Sequence, residues 1–515
     1  MEALRVIREL ISRLTEEEKQ TIRIYLTTFY HKGKSVRSVK LFDLLVAEQK
    51  SKDGSETKPV ELETILYGQQ SGANFSRLLY RLREKILEAL IIDVNVNREG
   101  AYDERAKVNI EVRKNLTQIQ ILRSRGLKGI AQTILTKVIE QTKKYELFEE
   151  LLMALRLQID VHAEDQGDKH QAKLLAQHER YVHAMNAVLR AEMNRGKLHA
   201  ELDFRTGQNA KVEWLKGMLD EMNADYRKTS SSQVGFYYFY VLTQYYQLLG
   251  DYKSARKALQ DNLKLLDVSP GIYTAIRVGN VQLNLADNDL YLGEYNRCFK
   301  VATQSQRYFK PTSFNHTQAI ELMFYAQYYA GDYSLAREVL LQLLPDIDET
   351  TGVLYRQGKR LYLLACTCFM LQDYQSALKL TNNFTNPISE DREGWNLGAR
   401  ILTILSLIEI GELDMAAGKI SILKNFADTL DKSLVSPRVQ ITCLLLRKLS
   451  NAAFIFKTAY QKDKDRIEQL QKTPWVPKSP EMVIFDQWYM AKMLKQPFMQ
   501  ATIVAANNAT TKSNA

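Results

Sequence analysis

The sequence predicts an all-α protein, an α-solenoid of antiparallel helix hairpins preceded by an N-terminal helical domain. Three observations predict it. Prolines and glycines are scarce, 10 and 23 in 515 residues, so few turns demand special backbone angles and long helices are favoured. Apolar residues recur at helical spacing in the long segments quoted below. A short phrase, Gly-acid-Tyr-x-x-small, returns about every forty residues, as expected when one supersecondary unit is stacked on copies of itself.

Five copies of the phrase can be followed. They are Gly250-Asp251-Tyr252 with Ala255, Gly293-Glu294-Tyr295 with Cys298, Gly331-Asp332-Tyr333 with Ala336, Gln372-Asp373-Tyr374 with Ala377, and Gly411-Glu412-Leu413 with Ala416. Successive small residues are 43, 38, 41 and 39 positions apart. Each part has a task in a helical hairpin. The glycine takes the left-handed backbone angle that ends the first helix, and the acid favours the positive N-terminal end of the second. Tyrosine covers the turn. The small residue faces the first helix where the two backbones come closest, so a large side chain there would overpack the contact.

These residues resemble the tetratricopeptide repeat family, whose helix pairs carry a leucine, a small residue and an aromatic in the first helix before this same turn. Matching positions are Leu242 and Tyr246 in one copy, Leu285 and Ala286 in the next, and Leu364 and Ala365 in the fourth. The chain departs from the family in its spacing of about 40 rather than the usual 34. It also departs at Gln372 for the turn glycine, Leu413 for the tyrosine and Phe324 at a normally small site. The resemblance implies a solenoid in which the first helix of each pair lines a concave groove.

The clear repeats define a region from 235 to 430. Before it, residues 105–234 read as divergent helical repeats. "ILRSRGLKGIAQTILTKVIEQTKKYELFEELLMALRLQ" (121–158) keeps the Gly126-to-Ala131 spacing of five, and two unsigned hairpins are expected between 160 and 235. Residues 1–104 form the head. Thr15 and Glu18 make a capping box, and Phe75, Leu78, Leu79, Leu82, Ile86 and Leu90 share one helical face. This arrangement resembles uncharacterised bacterial repeat proteins with such a head. Residues 431–515 read as a helical cap and frayed tail: Ser436-Pro437 starts a helix, "KTPWVPKSP" (472–480) interrupts, and "ATIVAANNATTKSNA" should fray.

Several function classes are disfavoured. The longest apolar stretches, 361–371 and 401–408, are far short of the roughly 20 residues that span a bilayer, and "MEALRVIRELISRL" lacks a signal-peptide core, so a cytoplasmic protein is expected. Four cysteines make no disulfide framework. "GVLYRQGK" (352–359) has five rather than four residues between its glycines, Arg360 where Ser or Thr is needed, and no preceding strand. Five histidines, His162, His170, His178, His183 and His199, cluster without a His-Glu-x-x-His spacing, and His178 and His183 point to different sides of a helix. No nucleophile elbow or paired acid and base is recognisable. No enzyme, cofactor or metal site is expected.

Binding surfaces remain. The aromatic run "GFYYFYVLTQYYQLLGDY" (235–252) holds more tyrosines than one inner stripe can bury. The groove-facing positions that the resemblance implies are Tyr237, Tyr240, Gln244 and Gln247, then Asn280 and Asp287, then Glu321, Tyr325 and Tyr328, then Lys359 and Tyr362. Phenols and amides of this kind hydrogen-bond an extended peptide while aromatic faces hold its side chains, whereas the bland alternative is tyrosine filling helix seams. The expected function is therefore a non-enzymatic scaffold with a protein or peptide partner. The alternative is a transcriptional regulator. Formal charge is +10, with 11 Lys/Arg against 5 Asp/Glu after residue 440, and "VELETILYG" followed by "NFSRLLYRLREKIL" could form a helix-turn-helix. Arg77, Arg81, Arg83 and Lys85 would contact nucleic acid, with "HKGKSVRSVK" (31–40) adding four cations. Against it, "QQSGAN" is long for the turn, and Glu84 and Glu88 dilute the charge.

Overall fold

The structure, a computed structural model, describes residues 2–28, 35–50, 57–70, 72–92, 102–165, 168–202, 208–344, 351–382, 391, 394–429 and 436–498. Every regular element among them is a helix. None of these helices is long and apolar enough to cross a membrane. The chain divides into two compact units, Met1–Ile110 and Glu111–Ala515.

The first unit holds α1 (Glu2–Arg13), α2 (Glu16–Thr28), α3 (Ser35–Lys50), α4 (Pro59–Tyr67) and α5 (Gly72–Ile92). The capping box forms, with the Glu18 amide donating to Thr15 Oγ1 at 3.1 Å and the Thr15 amide to Glu18 Oε2 at 2.8 Å. The predicted stripe on α5 is the spine of the core: Phe75, Leu78, Leu79, Leu82 and Ile86 are buried against Ile7, Ile11, Ile22, Leu26 and Phe42.

The second unit begins within α6 (Glu104–Ser124) and continues with α7 (Lys128–Lys144), α8 (Phe148–Asp165), α9 (Asp168–Leu202) and α10 (Gln208–Thr229). Where two hairpins were expected between 160 and 235 there is one, α9 with α10. The 35-residue α9 runs unbroken through Asn194 and Gly196, with no proline to stop it. Next come five hairpins that carry the phrase: α11 (Ser232–Leu248) with α12 (Tyr252–Val268), α13 (Ala275–Tyr291) with α14 (Tyr295–Gln306), α15 (Phe314–Ala330) with α16 (Tyr333–Leu341), α17 (Thr351–Met370) with α18 (Tyr374–Asn382), and α19 (Trp395–Ile410) with α20 (Leu413–Thr429). A sixth pair, α21 (Pro437–Asn451) with α22 (Phe456–Lys472), and a last helix, α23 (Phe485–Leu494), close the array.

The turn chemistry repeats. Gly126, Gly250, Gly293, Gly331, Gln372 and Gly411 all take positive φ. The following amide reaches back five residues in each case, as in Asp251 to Tyr246, Asp332 to Gln327 and Asp373 to Cys368, at 2.9–3.0 Å. This satisfies carbonyls that the helix end would leave orphaned. Asp251, Asp332 and Asp373 cap the next helix by accepting from the amide three residues on. Glu294 does not cap and pairs with Arg256 and Arg297 instead. The small residues meet one environment: Ala255, Cys298, Ala336, Ala377 and Ala416 are all 0% exposed. These turns and seams make the second unit a tetratricopeptide-like stack of helical hairpins. The sixth pair lacks the glycine. Ala453 and Phe454 take positive φ, the Phe454 amide bonds Leu449 O at 2.9 Å, and Ala459 fills the buried slot.

Candidate functional site

Among the first helices, α13 packs on α15 and α17 on α19, and residues 473–484 meet all four without regular structure of their own. This segment, termed the strand only for its path across the helices, turns at residues 477–480 between the end of α22 at Lys472 and the start of α23 at Phe485. Lys478 Nζ meets Asp287 Oδ1 of α13 at 2.7 Å, and its backbone amide donates to the Tyr329 hydroxyl of α15 at 2.9 Å. The Tyr328 hydroxyl donates to Met482 O at 3.2 Å, and the Tyr362 hydroxyl of α17 to Pro480 O. Gly398 of α19 lies directly beneath Pro480. A Cβ added there would fall 2.6 Å from the proline carbonyl and 2.8 Å from the Tyr362 hydroxyl.

Arg438 of α21 fixes the far end. Its guanidinium donates to Glu481 at 2.6 and 2.9 Å, to Asp486 at 2.5 Å, and to the carbonyls of Leu470 and Thr473 at 2.7 and 2.8 Å. One buried fork therefore ties the end of α22, the strand and the start of α23 together, with carboxylate acceptors in three of its five bonds. Trp475 folds back within the strand, donating to Glu481 O at 2.9 Å while its ring meets Tyr329 edge-on.

Burial and charge shape the titration of this face. Burial pushes the Tyr328, Tyr329 and Tyr362 phenols well up, so they act as neutral donors and acceptors. Burial pulls Lys478 down, but the charges of Asp287 and, further off, Glu321 outweigh it and hold the ammonium above the usual lysine range.

The expected groove positions differ in burial and in what covers them. Asp287, Tyr328 and Tyr362 meet the strand directly. Tyr325, Tyr328, Tyr362 and Glu321 are buried rather than open, which corrects the expectation of an accessible groove there. The strand roofs over two of these phenols. Lys359 fills space between the others, pairing with Glu321 at 3.1 Å and standing over the Tyr325 and Trp395 rings. Tyr237 is also buried, its hydroxyl donating to Glu192 of α9 and its ring under Arg195. Tyr240, Gln244, Gln247 and Asn280 keep partial exposure. Gln244 donates to Gln247 at 3.2 Å, and Asn280 accepts from Asn315 at 2.8 Å.

Sequence reasoning overlooked Tyr329, Gly398, Arg438 and the strand itself. A signal was present: Pro474, Pro477 and Pro480 recur every third residue, the period of a polyproline helix and a common mark of peptides held on aromatic surfaces.

In the head, Gly68 closes α4 in the left-handed conformation and α5 starts at Gly72, so the link is four residues, shorter than expected. Arg77 and Arg81 are exposed, whereas Arg83 pairs with Glu84 at 2.9 Å and Lys85 pairs with Glu88. Residues 31–34 lie outside the described residues, as do the tail from 499 and the side chains of His162, His170 and His199. The 352–359 phrase runs within α17 and so forms no loop. No group of three metal-binding side chains occurs among the described residues.

No family model matches the chain, and no curated protein matches it. Among solved structures, the apo form of RapI is similar over 69% of this chain and 87% of its own, at 12% identity and a TM-score of 0.41. A signal transduction ATPase with numerous domains from Pyrococcus horikoshii, described as having a tetratricopeptide repeat sensor, is similar over 90% of this chain at 13% identity and a TM-score of 0.31. This chain covers 65% of that protein's length. At these scores the fold reading rests on the chain's own turns and buried small residues.

Proposed function

We propose that this protein is a binding scaffold that recognises an extended segment of a protein partner along the first-helix stripe and carries out no chemistry itself. The observation that supports this reading is the strand 473–484. A non-helical segment that turns at residues 477–480 is already held on this face by tyrosine hydroxyls, an acid and an arginine, side chains suited to holding a peptide backbone. A partner would bind on the continuation of the stripe over α11 and α13, where Tyr240, Gln244, Gln247 and Asn280 are partly exposed. Stacked hairpins present those groups in fixed register, so little ordering cost falls on the scaffold.

The test is selection of displayed random peptides on the full chain, followed by titration of the enriched sequence against Tyr240→Ala, Gln244→Ala and Asn280→Ala. The reading expects at least one of these to weaken binding by about tenfold, the usual effect of losing a central contact. Enriched peptides indifferent to all three would refute it.

The regulator reading retains the exposed pair Arg77 and Arg81 on a helix that follows a four-residue link. It expects duplex DNA binding that weakens steeply with salt and is lost in Arg77→Ala/Arg81→Ala.

A further inference from the structure

We propose that the face formed by α13, α15, α17, α19 and the start of α21 is itself a peptide site, and that residues 473–484 are its resident, displaceable occupant. This rests on the scaffold reading and adds the chemistry of the partner. The resident strand spells out what the site accepts. A cation meets Asp287, a carbonyl two residues on meets the Tyr362 hydroxyl, a carboxylate three on meets Arg438, and an apolar side chain four on is buried, as Met482 is. The partner is thus a peptide that turns as residues 477–480 do, with a basic residue followed at +3 by an acid and at +4 by a methionine-like side chain.

The resident fits imperfectly. Lys478 is forced to a φ of 60°, a conformation that a side-chain-bearing residue adopts at a cost. The Ser479 hydroxyl is buried without a hydrogen-bond partner among the described residues. A cavity of about 20 Å³ remains between the strand and helices α17, α19 and α21, bordered by Tyr362, Gly398, Leu402 and Thr442. A free peptide has no helix to rejoin at either end and so is not held by the tethers to α22 and α23. Such a peptide need only outcompete a strand that carries these penalties.

The test uses the full chain and a labelled synthetic peptide of residues 473–484, followed by fluorescence anisotropy. Lys478→Ala/Glu481→Gln weakens the resident strand without altering the face beneath it. The peptide is expected to bind this variant about tenfold more tightly than wild type, because the competent state is more populated. Adding Tyr362→Phe or Asp287→Asn should weaken that binding. A variant that melts cooperatively yet binds no peptide overturns the proposal, as does binding indifferent to both face substitutions. Should the variant not fold, hydrogen exchange of the wild type decides. Exchange at 478–484 well ahead of the α15 and α17 amides supports displacement, and exchange only with global unfolding refutes it. Peptides that bind through Tyr240 and Gln244 while the 473–484 peptide fails would leave the scaffold reading standing and remove this one.

Discussion

Lys478 and Asp287 form an ion pair at 2.7 Å although 191 positions separate them in the chain. The pair joins the last non-helical strand to the second of the clear hairpins, so it closes a long loop across the stack. Asp287→Ala should destabilise the second unit by about 1–2 kcal/mol, since the pair is partly solvated and its ammonium would be left near the Tyr291 ring. Urea unfolding of Asp287→Ala, Lys478→Ala and the double variant should give a coupling energy of about 0.5–2 kcal/mol. A coupling of zero would mean that the contact adds nothing to holding the strand.

Gly398 allows the Pro480 carbonyl to lie against α19. Gly398→Ala should improve helix propensity by about 1 kcal/mol yet lower the melting temperature, because the new methyl collides with that carbonyl and with the Tyr362 hydroxyl. Hydrogen exchange should rise at 478–484 and stay unchanged in α1–α5. An unaltered exchange pattern with a higher melting temperature would show that the strand is not seated as described.

The small slot is a packing constraint and not a chemical one. Cys298→Ala should cost about 1 kcal/mol or less, while Cys298→Leu should cost about 3 kcal/mol or more, since the side chain is fully enclosed beside α15. Thermal melts of the two variants check this, and equal losses would mean the slot tolerates bulk.

Gln372 occupies the turn position that glycine holds in the other phrase-bearing pairs, with a φ of 63°. Gln372→Gly should stabilise the unit by about 1 kcal/mol, and Gly331→Ala should destabilise it by a similar amount, because only glycine enters the left-handed region freely. Chemical denaturation of the two variants should therefore move in opposite directions.

Gln372 also shows why the repeats were legible. The phrase is redundant: acid, tyrosine and small residue all survive there, and the backbone takes the same turn with an ordinary side chain. The sixth pair was not legible, since Ala453 and Phe454 make the turn with neither glycine nor acid to announce it. The groove positions came from the family resemblance, and the structure divides them between buried side chains such as Tyr325 and Tyr328 and partly exposed ones such as Tyr240 and Gln244. What covers the buried ones was not legible. Burial of Tyr328 and Tyr362 depends on a strand more than a hundred positions away, and no local pattern in α15 or α17 encodes that. The proline period at 474, 477 and 480 marks the strand as a ligand-like segment, but nothing in it names its receptor.

Asp289 makes the stack respond to acid in an unusual direction. Its side chain on α13 is 0% exposed and contacts Arg256 of the preceding pair at 2.7 Å and Arg297 of its own at 3.1 Å. Burial pushes the carboxyl up to about 6, more than the two guanidiniums pull it down. A carboxyl whose folded value lies above its unfolded one binds its proton more tightly in the native state. Its contribution to stability therefore grows as pH falls from about 6 toward 4 and is absent above that window. Most paired carboxylates act the opposite way, so the group must be isolated by difference. Relative to Asp289→Asn, the wild type should gain about 2–3 kcal/mol between pH 7 and pH 4, measured by urea unfolding at each pH. A difference that stays flat, or that falls with acid, would place the ion triad rather than desolvation in control of this carboxyl, and the two hairpins would then be joined by a net attraction at neutral pH.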